Sequence, residues 1–222
     1  MVVNAWASWL VMRSIVSCMV VLVLDPRWPT MVPVEVCNQI RGPVSYTDEV
    51  PAAARVLTPG TGGPPWLVTT ETAIATSPND AIATATQIIR VPSLDDPVYQ
   101  AVSVMHAART RGQWEQAMTH ASLVPYLLEE SAELAEAIEQ GAGDEALKKE
   151  LADVLLQVLF HAEIASERGA FEFGEVAQAF VEKLKLRAPY LFDGSTGVVD
   201  VETQDRLWAQ GKAHEMRRGA VD

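Results

Sequence analysis

Beyond Pro92-Ser93 the chain takes up a helical period and keeps it almost to the C-terminus. Apolar residues recur three and four apart in five segments, and only short stops separate them. Asp96-Pro97 opens the first segment, which runs to about Thr110 with Val98, Val102, Met105 and Ala108 on one side; proline suits a first helical turn. Thr119 or Ser122 can cap the second, with Pro125 in its first turn and an end near Gln140, where Gly141-Ala142-Gly143 stops it. Asp144 caps a third segment to about Arg168. A fourth runs from about Phe173 to Arg187 and stops before Pro189, and a last one spans roughly Val201 to Arg217. With loops this short the helices should pack as antiparallel neighbours, so residues 98–222 are expected to form an all-α bundle. The predicted core stripes are Leu151, Val154/Leu155, Val158 and Ala162 on the third helix and Leu127, Leu134 and Ile138 on the second. Leu155 to Phe160 is apolar nearly all round, which suggests a bundle continued across a subunit interface, a homodimer or higher homo-oligomer.

Residues 1–97 read differently. Met19 to Leu24 predicts a β-strand ending at Asp25-Pro26, and Trp66 to Thr70 a second short strand. Ala81 to Arg90 fits neither strand nor helix period cleanly. The run Thr58-Pro59-Gly60-Thr61-Gly62-Gly63-Pro64-Pro65 is not followed by Gly-Lys-Ser/Thr, so it is read as a linker or turn and not as a phosphate-binding loop. This half is expected to be a smaller α/β or irregular module. Met1 to Leu24 is apolar enough to raise a membrane or export segment. Asn4 and Arg13 interrupt it, however, and neither a basic lead nor a cleavage site accompanies it, so a strand behind a ragged leader is the preferred reading. Cys18 and Cys37 form no CxxC and no metal pattern, and read as incidental thiols of a cytoplasmic protein.

Acidic residues number 29 against 17 Lys and Arg, a formal net charge of −12, and no lysine precedes Lys148. Such a surface excludes general nucleic-acid binding. A polyanionic substrate could still be bound if metal ions supplied the positive charge.

Within the helical half, Glu130/Glu133, with Glu129 beside them, and Glu150/Asp153 stand out. Residues three apart share one helix face, so each pair points two carboxylates the same way, and antiparallel packing can bring the pairs together. Acids at this spacing are usually a solvated face, and Glu136 and Glu139 read as that. The second pair, however, falls inside an otherwise apolar helix, where an unpaired carboxylate is costly. Lys148 and Lys149 stand too close to Glu150 in sequence to neutralise the whole cluster. Oxygen-only ligands suit Mg²⁺ or Mn²⁺, so Glu130, Glu133, Glu150 and Asp153 are candidate metal ligands.

The string Trp114-Glu115, Thr119-His120-x-Ser122-Leu123-x-x-Tyr126-Leu127-Leu128-Glu129-Glu130-x-x-Glu133, then Glu150-Leu-x-Asp153-Val-Leu-Leu-Gln-Val-Leu-Phe-His161, resembles MazG, of the all-α nucleoside triphosphate pyrophosphohydrolases. Lys183-Leu184-x-x-Arg187-x-Pro189-x-x-Phe192 and Trp208-x-x-x-Lys212 extend the likeness, which covers about residues 98–222. The resemblance implies a dimerising bundle of the all-α NTP pyrophosphatase type, with Mg²⁺ on the four carboxylates and Glu129 as a further ligand or a base behind them. It implies cleavage of an NTP or dNTP between the α and β phosphates, to a monophosphate and pyrophosphate, in clearing unwanted nucleotides. By matching position, Lys183 and Arg187 meet phosphates, and Trp208 and Lys212 help hold the nucleotide. His120 and His161 read as capping or packing residues, and Trp208 as either a stacking partner for a base or ordinary core.

Some positions depart from the family pattern. Met118 replaces a common glutamine, Gly112-Gln113 a Cys-Pro, and Leu186 the first of an Arg-Arg pair; one copy of the acid motif is present where many relatives have two. These bear on substrate preference and rate. Narrower relatives act on dUTP, dCTP or phosphoribosyl-ATP. The rival readings are a non-catalytic acidic helical interaction module and a chain tethered to a membrane by residues 1–24.

Overall fold

The computed structural model describes residues 19–218, apart from 56, 58, 77–79 and 84. The leader over residues 1–18 and Cys18 lie outside the described residues. The chain divides into two compact units between Gln100 and Ala101.

The first unit is built on a parallel sheet of β1 (Val20–Leu24), β2 (Val44–Tyr46), β3 (Trp66–Thr70) and β4 (Gln87–Arg90), in the order β2-β3-β1-β4. All its pairings are parallel; Leu22 lies opposite Val68 on one side and Ile89 on the other. The apolar, mostly β-branched run Val20-Val21-Leu22-Val23-Leu24 fits a central strand covered on both faces, and every residue of it is buried. Short helices α1 (Val34–Cys37), α2 (Glu71–Thr76) and α3 (Asp80–Ala83) accompany the strands. The module is therefore α/β rather than irregular. Ala81 to Arg90, ambiguous by period, divides: its start closes α3 and its end is β4, an edge strand with Gln87, Ile88 and Arg90 exposed. The glycine run is a pinned turn, since the Gly60 and Gly62 amides donate to the carbonyls of Gly42 and Arg41. Cys37 is free and exposed.

The second unit is helical. The helices are α4 (Pro97–Arg111), α5 (Gln113–Ala117), α6 (His120–Glu139), α7 (Asp144–Glu167), α8 (Phe173–Arg187) and α9 (Val201–Arg218). Thr119 caps α6 and Ser122 answers it across a reciprocal capping box, so both expected capping residues take part. Pro125 consequently sits in the second turn, not the first. Asp144 is the first helical residue of α7 and Gly143 holds the cap position; the carboxylate still faces the positive end of the macrodipole. Gly141 and Gly169, with φ of 65° and 67°, end α6 and α7 in the left-handed region that side chains avoid.

The core stripes differ from expectation except at Ala162, which is buried as expected. Met105, Leu123, Leu159 and Phe160 form the buried cluster. Leu151, Leu155, Val158 and Ile138 are exposed, and Leu127 and Leu134 are half-buried. Leu155 to Phe160 is apolar around most of the helix, and within it the chain buries Gln157, Leu159 and Phe160 while Leu155, Leu156 and Val158 stay exposed. At the other end of the unit, Gly211 lets α9 close on α8. A Cβ there would lie 2.6 Å from the Leu186 carbonyl oxygen, which would force the helices apart.

Candidate metal centre

Helices α6 and α7 run antiparallel: His120 meets His161, and Glu130, ten residues on, meets Glu150 and Asp153. One carboxylate oxygen from each of Glu130, Glu150 and Asp153 lies within 4.8 Å of the other two. Glu133 is exposed and stands outside this trio, as does Glu129. Both still act on it. Partial burial pushes the Glu130 carboxyl above its ordinary range, and the charges of Asp153, Glu133, Glu129 and Glu150 push the same way. The five acids of the sequence motif therefore form one electrostatic group centred on Glu130.

Among the described residues one cation bonds to the group. The Lys149 ammonium donates to Glu150 Oε1 and to Asp153 Oδ2, both at 3.1 Å. Those bonds, the Glu150 one first, raise its pKa to about 12. Lys148 turns away to pair with Glu145. The two lysines thus leave the cluster net negative, yet Lys149 binds two of its members directly, a contact that sequence distance had discounted. The remaining Glu150 oxygen, Oε2, is buried and has no hydrogen-bond partner. A buried carboxylate oxygen without a partner, beside two further converging carboxylates, suits a hard divalent cation, which takes oxygen ligands and supplies the missing charge.

The other candidate residues lie on α8 and α9. The Arg187 guanidinium lies 5.0 Å from the centre of the Trp208 ring and is tied to Glu215 by a short ion pair. That bond holds the Glu215 carboxyl below its usual range, and Lys183 contributes to the same field. Trp208 is 42% exposed, so it is not ordinary core. Lys183 and Lys212 are exposed, one helical turn from Arg187 and Trp208 respectively. Among the described residues no hydrogen bond or ion pair joins this cationic group to the acids.

His120 and His161 stack with their Nδ1 atoms 2.8 Å apart, and burial followed by the neighbouring His120 lowers the pKa of His161. They are packing residues, and the capping role belongs to Thr119. Trp114 lies edge-on to Tyr126 and Phe160. Buried Arg109 donates to the Met118 carbonyl at 3.0 Å and holds Glu167 in an ion pair. Sequence reasoning passed over Arg109 and Glu215 and discounted Lys149. Only Lys149 left a local signal, its position four residues before Asp153; Glu215 lies 28 residues from Arg187. No described helix is long and apolar enough to cross a membrane.

Residues 118–192 match the MazG nucleotide pyrophosphohydrolase domain, and residues 19–87 match the MazG N-terminal domain. A nucleoside triphosphate pyrophosphohydrolase of Mycobacterium tuberculosis is 37% identical over 219 residues, covering 91% of this chain and 64% of that protein. One of Mycolicibacterium smegmatis is 36% identical, over 90% of this chain and 63% of that protein. A nucleoside triphosphate pyrophosphohydrolase/pyrophosphatase MazG of Thermotoga maritima is 43% identical over 54% of this chain and 48% of its own. The chain thus spans a little under two thirds of the first two relatives. Among solved structures, a MazG-related protein from Thermotoga maritima aligns with a TM-score of 0.45 and 22% identity, over 51% of this chain and 97% of that one.

Proposed function

The chain belongs to the MazG family, and from that premise we propose that its helical unit hydrolyses nucleoside triphosphates, NTP or dNTP, to a monophosphate and pyrophosphate. Mg²⁺ is the proposed cofactor, with Mn²⁺ able to replace it. Glu130, Glu150 and Asp153 are the primary ligands, Glu133 completes the set from the same face of α6, and Glu129 lies behind it as a ligand or base. The observation that carries this reading is the buried, partnerless Glu150 Oε2 beside the converging oxygens of Glu130 and Asp153.

In the reaction, water adds across the phosphoanhydride between the α and β phosphates; one P–O bond forms, one breaks, and pyrophosphate leaves. Held by these carboxylates, a divalent cation would supply a more acidic water and would shield the charge that moves onto the leaving pyrophosphate. The five-acid cluster would hold the cation, and Glu129, which stands outside the converging trio, would accept the proton that water gives up. Lys183 and Arg187 orient the phosphate oxygens, and Trp208 and Lys212 steady the nucleoside; an exposed indole offers a face for a base. The role is nucleotide-pool house-cleaning in the cytoplasm. The partner is a second copy of the chain, since Leu128, Leu151, Leu155 and Leu156 expose apolar surface on α6 and α7. The net charge of −12 disfavours nucleic acid.

The test is incubation with an NTP and dNTP panel and Mg²⁺, with products separated. Monophosphate and pyrophosphate should form, and turnover should be lost in folded Glu133→Ala and Asp153→Ala. Orthophosphate release, or no metal-dependent turnover of any nucleotide, would overturn the proposal and favour a non-catalytic interaction module.

A further inference from the structure

Lys149 is the cation bonded to the acid cluster among the described residues, and the reaction above gives it no part. Helix stability contributes little to the contact. A lysine four residues ahead of an aspartate is the weaker order for such a pair, and a cation this close to the N-terminus of α7 gains nothing from the macrodipole. Lys148, one residue earlier, answers to Glu145 instead. Lys149 is held by the two α7 carboxylates that it bonds, Glu150 and Asp153.

The bonds it makes are those a divalent cation would need. Lys149 occupies Glu150 Oε1 and Asp153 Oδ2, and a second cation at the same oxygens would be repelled by the ammonium. The lysine side chain is 67% exposed, so it can swing into water without disturbing packing. We propose that Lys149 is a displaceable internal counter-ion: it holds Glu150 and Asp153 together against their mutual repulsion, and it leaves when a divalent cation takes their oxygens. This role rests on the reading of the acids as a metal centre. It keeps the ligands gathered between binding events and makes the site's affinity lower than its charge alone would give.

Mn²⁺ binding to the full chain, followed by the electron paramagnetic resonance of the free ion, tests the role. Lys149→Met keeps most of the stem and removes the charge. It should bind Mn²⁺ about tenfold more tightly than the unaltered chain, because two exposed ion-pair contacts no longer have to be broken. Unchanged or weaker binding by folded Lys149→Met would overturn the counter-ion role and leave the metal centre standing. Absence of binding by both chains would overturn the metal centre and the role together. A measurement on the unaltered chain removes dependence on the variant: the Lys149 ammonium resonance should move toward that of a free lysine as diamagnetic Mg²⁺ is added. A bound-like resonance at saturating Mg²⁺ would refute displacement.

Discussion

Replacing Glu150 by glutamine should shift stability in opposite directions with and without a divalent cation. In the cation-free chain a Glu150 oxygen lies within 4.8 Å of oxygens of Glu130 and Asp153. Even at the dielectric constant of water, like charges at that distance repel by about 0.9 kcal/mol a pair, so two pairs oppose folding by roughly 1.7 kcal/mol. Glutamine removes this repulsion and the cost of burying a charged, partnerless Oε2, but gives up the pair with Lys149. The net gain should be about 0.5–1 kcal/mol, or roughly 2–4 °C in the melting temperature of a unit of about 120 residues. With Mn²⁺ at a hundred times its dissociation constant, the unaltered chain gains about 2.7 kcal/mol, roughly 10 °C. The amide is a poorer ligand, and most of that gain should vanish. Thermal melts followed by helical circular dichroism, in chelator and in Mn²⁺, read both effects. If Glu150→Gln melts below the unaltered chain in chelator, or if Mn²⁺ raises both equally, the assignment of Glu150 as a strained ligand is wrong.

Two further outcomes test the framework around the site. Asp25 is buried at the end of β1; burial would raise its pKa, but the side-chain and backbone bonds from Arg27 outweigh that and leave it lowered. Its stabilisation is therefore fully present above the unfolded value near 3.8 and is lost as pH falls through the lower folded value. Asp25→Asn should destabilise the sheet by about 2 kcal/mol at neutral pH and flatten the acid limb of its stability, read by hydrogen exchange of the β1 and β3 amides; an unaltered acid limb would refute this. Arg109→Met should cost about 1–3 kcal/mol in urea unfolding, because the part-buried carbonyls of Glu115 and Met118 and the Glu167 carboxylate lose their buried donor. A cost below about 0.5 kcal/mol would place that network outside the stability of the helical unit.

Much of the helical unit was legible because its signals are local. Thr119 with Ser122, Gly141 and Pro189 each act on the backbone within a few residues, so helix limits followed from the residues that start and stop them. Strands Val20–Leu24 and Trp66–Thr70 were legible for the same reason, as short runs rich in β-branched and apolar residues. Strand β4 was not, since half-exposed edge residues such as Gln87 and Ile88 carry little pattern. The buried side of α7 was misjudged because a helix apolar nearly all round does not say which side its own chain covers.

The sequence by itself determined that two pairs of carboxylates share helix faces, one turn apart, because helical spacing is fixed by backbone geometry. Which of them converge was decided by tertiary structure. Antiparallel packing of α6 on α7 gathers Glu130, Glu150 and Asp153 and leaves Glu133 exposed. The close approach of α9 to α8 at Gly211 likewise brings Glu215 and Trp208 to Arg187 across a long stretch of chain. Lys149 belongs with the local cases, since both of its bonds, to Glu150 and Asp153, are made within α7. Local rules fix what each helix presents, and packing fixes which charges must share a volume.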